Sequence, residues 1–291
     1  MKFDVSHKTV YNYSAMVSHS SHCVHLTPRP IARQTVERHS LMIEPAPTTR
    51  IDRIDYFGNP VSILSIDGAH SEFVVHARST IVAEPPEPVD PEATCAWEDV
   101  QQRVTTGNGD LDLDVIQYLS PSRLTQPIPA ILTYARPSFP ERRPAIAAAW
   151  DLAQRIFQDF KFDATATDLS TPLSEVLRNR RGVCQDFSHL MLSCLRAMHL
   201  PARYVSGYIL TKPPEGGERL QGADASHAWV SIWAPECGWV DMDPTNKIMP
   251  GEEHITIAYG RDYDDVCPIS GVLLGGREHG VRVAVDVVPT S

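Results

Sequence analysis

Residues Arg180-Arg181-Gly182-Val183-Cys184-Gln185-Asp186-Phe187-Ser188-His189-Leu190 decide how the chain is read. They lead from a polar turn into a helix and put a cysteine at the junction. Phe187, Leu190, Met191, Cys194, Leu195 and Met198 recur at helical spacing. That spacing predicts a helix buried along one side and stopped by Leu200-Pro201. Cys194 lies on the stripe and reads as a packing residue. Cys184 precedes the stripe, at the first turn, where unpaired N–H groups and the positive end of the helix dipole favour a thiolate.

Downstream of the helix, strands are expected at 202–210, 227–233 and 238–242. The first two are separated by residues 211–225, a loop with Pro213, Pro214, Gly216, Gly217 and Gly222, long enough to border a substrate cleft. Ala234-Pro235-Glu236-Cys237 joins the last two as a tight hairpin. His227 then opens one strand and Asp243 ends the next, and the two are expected to meet across the hairpin. A cysteine nucleophile needs a base to take its proton and a third group to orient that base. Cys184, His227 and Asp243 are of the right types. Singly, each has an ordinary structural role; their order, and their places on these elements, point to catalysis.

Working outward, a helix is expected over 145–160, where Ala148, Leu152, Ile156 and Phe160 recur every fourth position and Trp150 reads as a core anchor. Short helices are expected over 96–104 and 114–119. Thr171-Pro172-Leu173-Ser174-Glu175-Val176-Leu177 reads as another, with Thr171 at the cap and Pro172 in the first turn. The N-terminal third alternates in strand-sized pieces. Strands are expected around 3–11, at Val24-His25-Leu26-Thr27-Pro28, at His39-Ser40-Leu41-Met42-Ile43-Glu44, and at 50–56, 61–66 and 72–82. Turn residues between them suggest an antiparallel sandwich or barrel. Glu84-Pro85-Pro86-Glu87-Pro88-Val89-Asp90-Pro91 reads as a stiff linker. The division expected is therefore an N-terminal domain over 1–84, a linker over 85–92 and a second domain over 93–291. Residues 281–288 alternate too late in the chain to serve the second domain alone and are expected to pair with the N-terminal sheet.

Composition narrows the function classes. The chain has 291 residues, 42% hydrophobic and 21% charged, with a formal net charge of -10. A nucleic-acid binder would present a basic surface, so that class is disfavoured. No run of apolar residues is long enough to span a membrane, and the start of the chain lacks an apolar signal core. Six cysteines without a C-x-x-C pair read as reduced thiols, and a cytoplasmic location is expected. His19, His22, Cys23 and His25 crowd together but match no zinc spacing. Glu252, Glu253, Asp262, Asp264 and Asp265 form an acidic cluster without a calcium-binding loop, and read as solvated or paired with Arg261. No metal or cofactor is expected.

Three stretches resemble a known family. Gly182-Val183-Cys184-Gln185-Asp186-Phe187-Ser188-His189, Ser226-His227-Ala228-Trp229-Val230 and Gly238-Trp239-Val240-Asp241-Met242-Asp243-Pro244-Thr245-Asn246 look like the signatures of the transglutaminase-like superfamily. Residues 1–83 resemble the bacterial transglutaminase-like N-terminal domain through Ser6-His7-Lys8-Thr9-Val10-Tyr11-Asn12-Tyr13, Leu26-Thr27-Pro28-Arg29 and Asp55-Tyr56-Phe57-Gly58-Asn59. Tyr259-Gly260-Arg261-Asp262-Tyr263-Asp264-Asp265-Val266 also resembles the bacterial relatives, so the likeness spans nearly the whole chain.

The resemblance implies an α+β fold, with an N-terminal antiparallel β-sandwich-like domain beside a papain-like core in which a catalytic helix packs on an antiparallel sheet. It assigns Cys184 as nucleophile, His227 as base and Asp243 as orienting carboxylate. Asp241 is the near rival, but the family's aspartate is the one in Asp-Pro-Thr. The implied chemistry is acyl transfer through a thioester on a peptide or protein substrate. Hydrolysis of a peptide or carboxamide bond comes first, and glutamine crosslinking by a transglutaminase is the alternative. A non-catalytic peptide-binding or scaffold module is the reading of another class. Relatives with this N-terminal domain further imply peptide-ligase and proteasome-like pathway partners. Gln185, Asp186, Asp224 and Trp229 are further candidates for substrate or supporting contacts, and His189 for a supporting hydrogen bond.

Overall fold

One strand, β1 (Lys2–Val24), organises the N-terminal part of the protein, whose computed structural model describes residues 1–107, 113–211 and 226–290. Its alternation runs from Phe3 and Val5 to Val24, with register shifts between Asn12 and Val17 against β5 and between Val17 and His19 against the C-terminal strand. The separate strand expected at Val24-His25-Leu26-Thr27-Pro28 is therefore absent. Val24 closes β1, and the chain leaves the sheet there. β2 (Gln34–Glu44), β3 (Thr49–Ile54), β4 (Pro60–Ile66) and β5 (His70–Ala83) complete the order β2-β5-β1-β4-β3. Along one edge, β1 pairs with β5 through its first half and with β4 through its second. Its other edge takes two strands from the far end of the chain, Ile269–Gly275 and His279–Thr290, all antiparallel. The pairing expected for 281–288 is thus made, and both ends of the chain build this sheet. Tyr13, Val17, Leu64, Ile66, Phe73 and Val75 fill one cluster against it, while Phe3, Val5 and Ile81 join the larger core of the helices.

After the exposed, irregular run 84–88 come α1 (Trp97–Thr106), α2 (Leu113–Ile116), α3 (Pro129–Ala135) and α4 (Ala145–Asp159). Short β6 (Lys161–Phe162) and β7 (Arg181–Gly182) pair in parallel and bracket α5 (Leu173–Asn179). Pro172, not Thr171, occupies the cap of α5; the Thr171 hydroxyl instead accepts the Asp168 N–H at 3.0 Å. Then comes α6 (Cys184–Ala197). It is not buried along one side only: every residue from Asp186 to Arg196 is buried. Arg196, the charged residue on its second face, is satisfied from neighbouring elements, while the buried Ser188 hydroxyl has no hydrogen-bond partner. The Arg196 guanidinium donates to the carbonyls of Tyr118, Ala202 and Arg261 and to the Thr125 hydroxyl at 2.7 Å. A sequence period sees apolar atoms only and misses a polar face sealed in this way.

α6 packs on a four-stranded antiparallel sheet, β8 (Ala202–Ile209), β9 (Ser226–Ala234), β10 (Gly238–Met242) and β11 (His254–Gly260), in the order β10-β9-β8-β11. α7 (Tyr263–Val266) then leads into the two C-terminal strands, β12 (Ile269–Gly275) and β13 (His279–Thr290). Along β9, Ala228, Val230 and Ile232 belong to the same core cluster as Leu190, Met191 and Leu195 of α6. His227, Trp229 and Trp233 alternate with them on the other face.

The N-terminal sheet docks on that other face through two side-chain amides. Gln34 and Asn59 are both buried, and each makes a paired hydrogen bond to the backbone of β11. The Gln34 amide donates to the Thr256 carbonyl at 2.7 Å and accepts the Thr256 N–H at 2.8 Å; Asn59 does the same at Tyr259, both at 2.8 Å. The amides satisfy the free edge of β11 as a neighbouring strand would.

Candidate active site

Gly182 and Asp186 shape the start of α6. The Asp186 carboxylate accepts the Val183 N–H at 2.8 Å and the Thr167 hydroxyl at 2.6 Å, which closes the first turn. A Cβ on Gly182 would lie 2.6 Å from the Asp186 Oδ2, so this cap needs glycine there. Burial raises the Asp186 carboxyl, partly offset by those two donors. Asp186 is thus the clamp that holds the turn carrying Cys184. Cys184 sits in the turn, half-buried, at the first helical position.

The hairpin brings the other two residues together, although not directly opposite. The last registered pair of β9 and β10 is Val230 with Met242, so Asp243 lies diagonally from His227. The His227 Nε2–H donates to the Asp243 Oδ2 at 2.7 Å, and both residues are buried. The Cys184 thiol stands close enough to the same imidazole to raise its pKa. With Nε2 committed to Asp243, Nδ1 is the nitrogen left for the thiol. Burial alone would lower the His227 pKa. The bond to Asp243 and the nearby Cys184 outweigh it and push it up to about 10.

Asp243 is held from all sides. Its Oδ1 accepts the backbone N–H groups of Thr245 and Asn246 at 2.9 and 3.2 Å. Its Oδ2 also accepts from the Asn246 amide at 2.7 Å and from the His254 Nε2–H at 3.3 Å. Burial would raise this carboxyl, but hydrogen bonds from His227, His254 and Asn246 keep it well below the usual carboxylate range. Asn246 and His254 were not singled out in the sequence. The Asp243-Pro244-Thr245-Asn246 turn chemistry carries a readable signal for the first. Nothing local marks the second.

The remaining candidates separate. Trp229 is wholly buried; its ring meets His254 edge-on at 5.1 Å and lies 6.0 Å from His227. Gly207 makes room for it: a Cβ there would fall 2.5 Å from the Trp229 Cη2. Trp229 is therefore a wall behind the imidazoles. Gln185 and Asp186 border a cavity of about 250 Å³ beside the helix start, with His189 and residues 168–174. The His189 Nε2 accepts the Tyr263 N–H at 3.1 Å, which ties α6 to α7. Asp241 lies outside the triad, in an ion pair with Arg33 at 2.9 Å. Asp224 lies outside the described residues.

The other clusters singled out in the sequence are dispersed. His19 pairs with Asp67 at 2.7 Å, His22 stacks on Phe73 at 4.1 Å, and His25 reaches Asp55 at 3.4 Å. In the acidic cluster, Asp265 pairs with Arg261, Asp264 with Arg123, and Glu252 with the N-terminal amine. Among the described residues, the His/Cys/carboxylate group close enough to hold a metal is His227, Asp243 and His254 themselves. Their ring nitrogens already donate to the carboxylate, so the geometry fits a hydrogen-bonded relay.

Residues 134–244 match the transglutaminase-like superfamily, and residues 3–82 match the bacterial transglutaminase-like N-terminal region. The chain belongs to the transglutaminase-like superfamily. An uncharacterized protein of Mycobacterium tuberculosis is 39% identical over 99% of this chain and 93% of its own length. Another, from Mycobacterium leprae, is 32% identical over 97% of each. A protein-glutamine gamma-glutamyltransferase of Pseudomonas aeruginosa is 33% identical over 40% of this chain and 19% of its own length. A solved structure from Cytophaga hutchinsonii, described as a candidate cysteine protease, covers 100% of this chain and 92% of its own with a TM-score of 0.76 at 20% identity. That likeness supports the α+β fold. No helix among the described residues is long and apolar enough to cross a membrane.

Proposed function

We propose that the protein is a cysteine-dependent acyl-transfer enzyme that opens peptide or carboxamide bonds through a thioester on Cys184, with hydrolysis as its main outcome. One observation carries the reading: the His227 imidazole, with Cys184 beside it, is held by a five-donor Asp243 carboxylate. Each part has its step. The Cys184 proton passes to His227, and the sulfur adds to the acyl carbon. The carbonyl oxygen takes the negative charge, with the Cys184 N–H at the helix start as one donor to it. Collapse of this adduct breaks the C–N bond, and His227 gives its proton to the departing amine. The acyl group is then a thioester. Water, deprotonated by His227, returns the thiol and releases an acid.

Asp243 keeps the imidazole in the right tautomer and stabilises its charged form. The 250 Å³ cavity beside Gln185 and Asp186 is the place for one side of the substrate. Six free thiols suit a reducing, cytoplasmic setting.

Transfer to a lysine amine, giving an isopeptide crosslink, is the second reading, favoured by the similarity to the glutamyltransferase. Mass spectrometry of a peptide library, incubated with and without an added primary amine, separates the two. Peptide cleavage, or conversion of glutamine to glutamate, is expected, and Cys184→Ala abolishes both. Amine adducts as the dominant product would move the assignment to a transferase. Turnover that survives Cys184→Ala, or no turnover and no trapped thioester in the native protein, would overturn the reading.

A further inference from the structure

A second site lies on the same face of the catalytic sheet, at its other end. Trp233 is six residues along β9 from His227, about 20 Å at ~3.3 Å per residue. There a cavity of about 400 Å³ opens where the N-terminal sheet, the α1–α2 region and the catalytic sheet meet. Its walls are largely aromatic, and its cations are three arginines: Arg29 from the N-terminal part, Arg103 from α1 and Arg203 from β8. Tyr118 meets Trp239 edge-on at 5.4 Å. The Arg203 guanidinium is sandwiched, 4.2 Å from the Trp239 ring centre and 3.6 Å from that of Tyr259. The Arg29 guanidinium lies 4.8 Å from the same Tyr259 ring. Arg203 Nε is buried with no hydrogen-bond partner.

The charge balance is what needs explaining. The neighbouring arginines are neutralised, Arg33 by Asp241 and Arg261 by Asp265, each at 2.9 Å. Among the described residues, Arg29, Arg103 and Arg203 form no ion pair, and the cavity they line contains one carboxylate, Asp114. Burying the Arg203 guanidinium without a counterion, beside two further cations, costs free energy. Ring faces offset part of that cost. Arg29 Nη1 donates to the Phe57 carbonyl and, at 2.9 Å, to the Asn59 Oδ1, but among the described residues the remaining N–H edges of Arg29 and those of Arg103 and Arg203 make no hydrogen bond. Those edges are the groups that bind a planar or tetrahedral oxyanion in bidentate fashion.

We propose that this junction is a binding site for an oxyanion, a phosphate or carboxylate carried on a planar group, seated on the Arg29, Arg103 and Arg203 guanidiniums with its planar part against Tyr118, Trp233 and Trp239. The site is separate from the thioester chemistry and does not depend on that assignment. Because its walls come from three parts of the chain, an occupant would also hold the N-terminal sheet against the catalytic sheet.

The test is calorimetry and thermal shift on the full chain with phenyl phosphate, benzoate and inorganic phosphate. Saturable binding of at least one, with Kd at or below about 1 mM, is expected. Arg103→Ala, an exposed change at the edge of the cavity, should weaken it about tenfold, while Arg178→Ala, an exposed arginine elsewhere, leaves it unchanged. Arg203→Lys should weaken it as well; Arg103→Ala carries the test should that variant fail to fold. Preference among the ligands names the source: phenyl phosphate for a phosphorylated planar group, benzoate for a carboxylate, equal binding of inorganic phosphate for the free ion. No saturable binding by any of the three, or binding unchanged in Arg103→Ala, overturns the proposal.

Discussion

Helix α6 carries the same side chain near each end in opposite surroundings. Cys194 is wholly buried among Leu and Ile residues, its thiol turned to the Ile131 carbonyl at 3.8 Å, and burial pushes its pKa well above the ordinary range. Cys184, ten residues earlier, is half-buried at the helix start beside an imidazole whose pKa is raised. The chemistry of a thiol here is set by what stands beside it, and the helix presents both cases within three turns. His227 and Asp243 make the difference, since both cysteines share one helix.

That comparison can be broken by removing the groups that create it. The largest effect is expected from Asp243→Asn. It keeps the shape but removes the charge that orients and stabilises the imidazolium, and turnover should fall by about 10³–10⁴-fold. A loss below about tenfold in steady-state kinetics would mean that the relay does not act as a unit.

Alkylation kinetics compare the two thiols directly. At pH 6–7, iodoacetamide should label Cys184 at least about tenfold faster than Cys194 or Cys237, as expected for a thiol activated by its neighbours. Burial raises the pKa of both comparison thiols. The sign with pH follows from His227. Its pKa is raised in the folded protein from 6.5 to about 10, so its charged-state contribution is fully present below pH 6.5 and lost as pH rises through about 10. The labelling advantage should therefore narrow toward pH 10, and it should vanish in His227→Ala. Equal rates at pH 6–7, read by peptide mapping, would sink the activated nucleophile. The smallest effect belongs to Cys194→Ala. It should cost about 1–2 kcal/mol of stability in denaturant unfolding, as a small buried cavity does, with turnover kept. Loss of turnover in a folded Cys194→Ala would erase the distinction between the two cysteines.

Much of this was legible in the chain before folding. The α6 stripe, the hairpin at 234–237 and the alternation of 281–288 follow from local period, because side-chain direction repeats every 3.6 or 2 residues. The three residues proposed as a triad could be picked out because Cys184, His227 and Asp243 each sit at an element's end, where turn and cap residues mark the boundary. β11 escaped notice because all seven of its residues are buried, so it shows no alternation. His254 went with it. The role of Asn59 was equally hidden: the residue lies in a recognisable turn, but its hydrogen-bond partner is Tyr259, two hundred residues away.

Sequence alone determined the kinds of side chain available and the elements that carry them, since both are local properties. Tertiary structure decided which of them meet. It put His254 and Asn246 on the Asp243 carboxylate, closed the polar side of α6, and drew three arginines from distant segments to one cavity. Those outcomes depend on burial and on long-range pairing, where the dielectric and the partners of each charge are set by residues far along the chain.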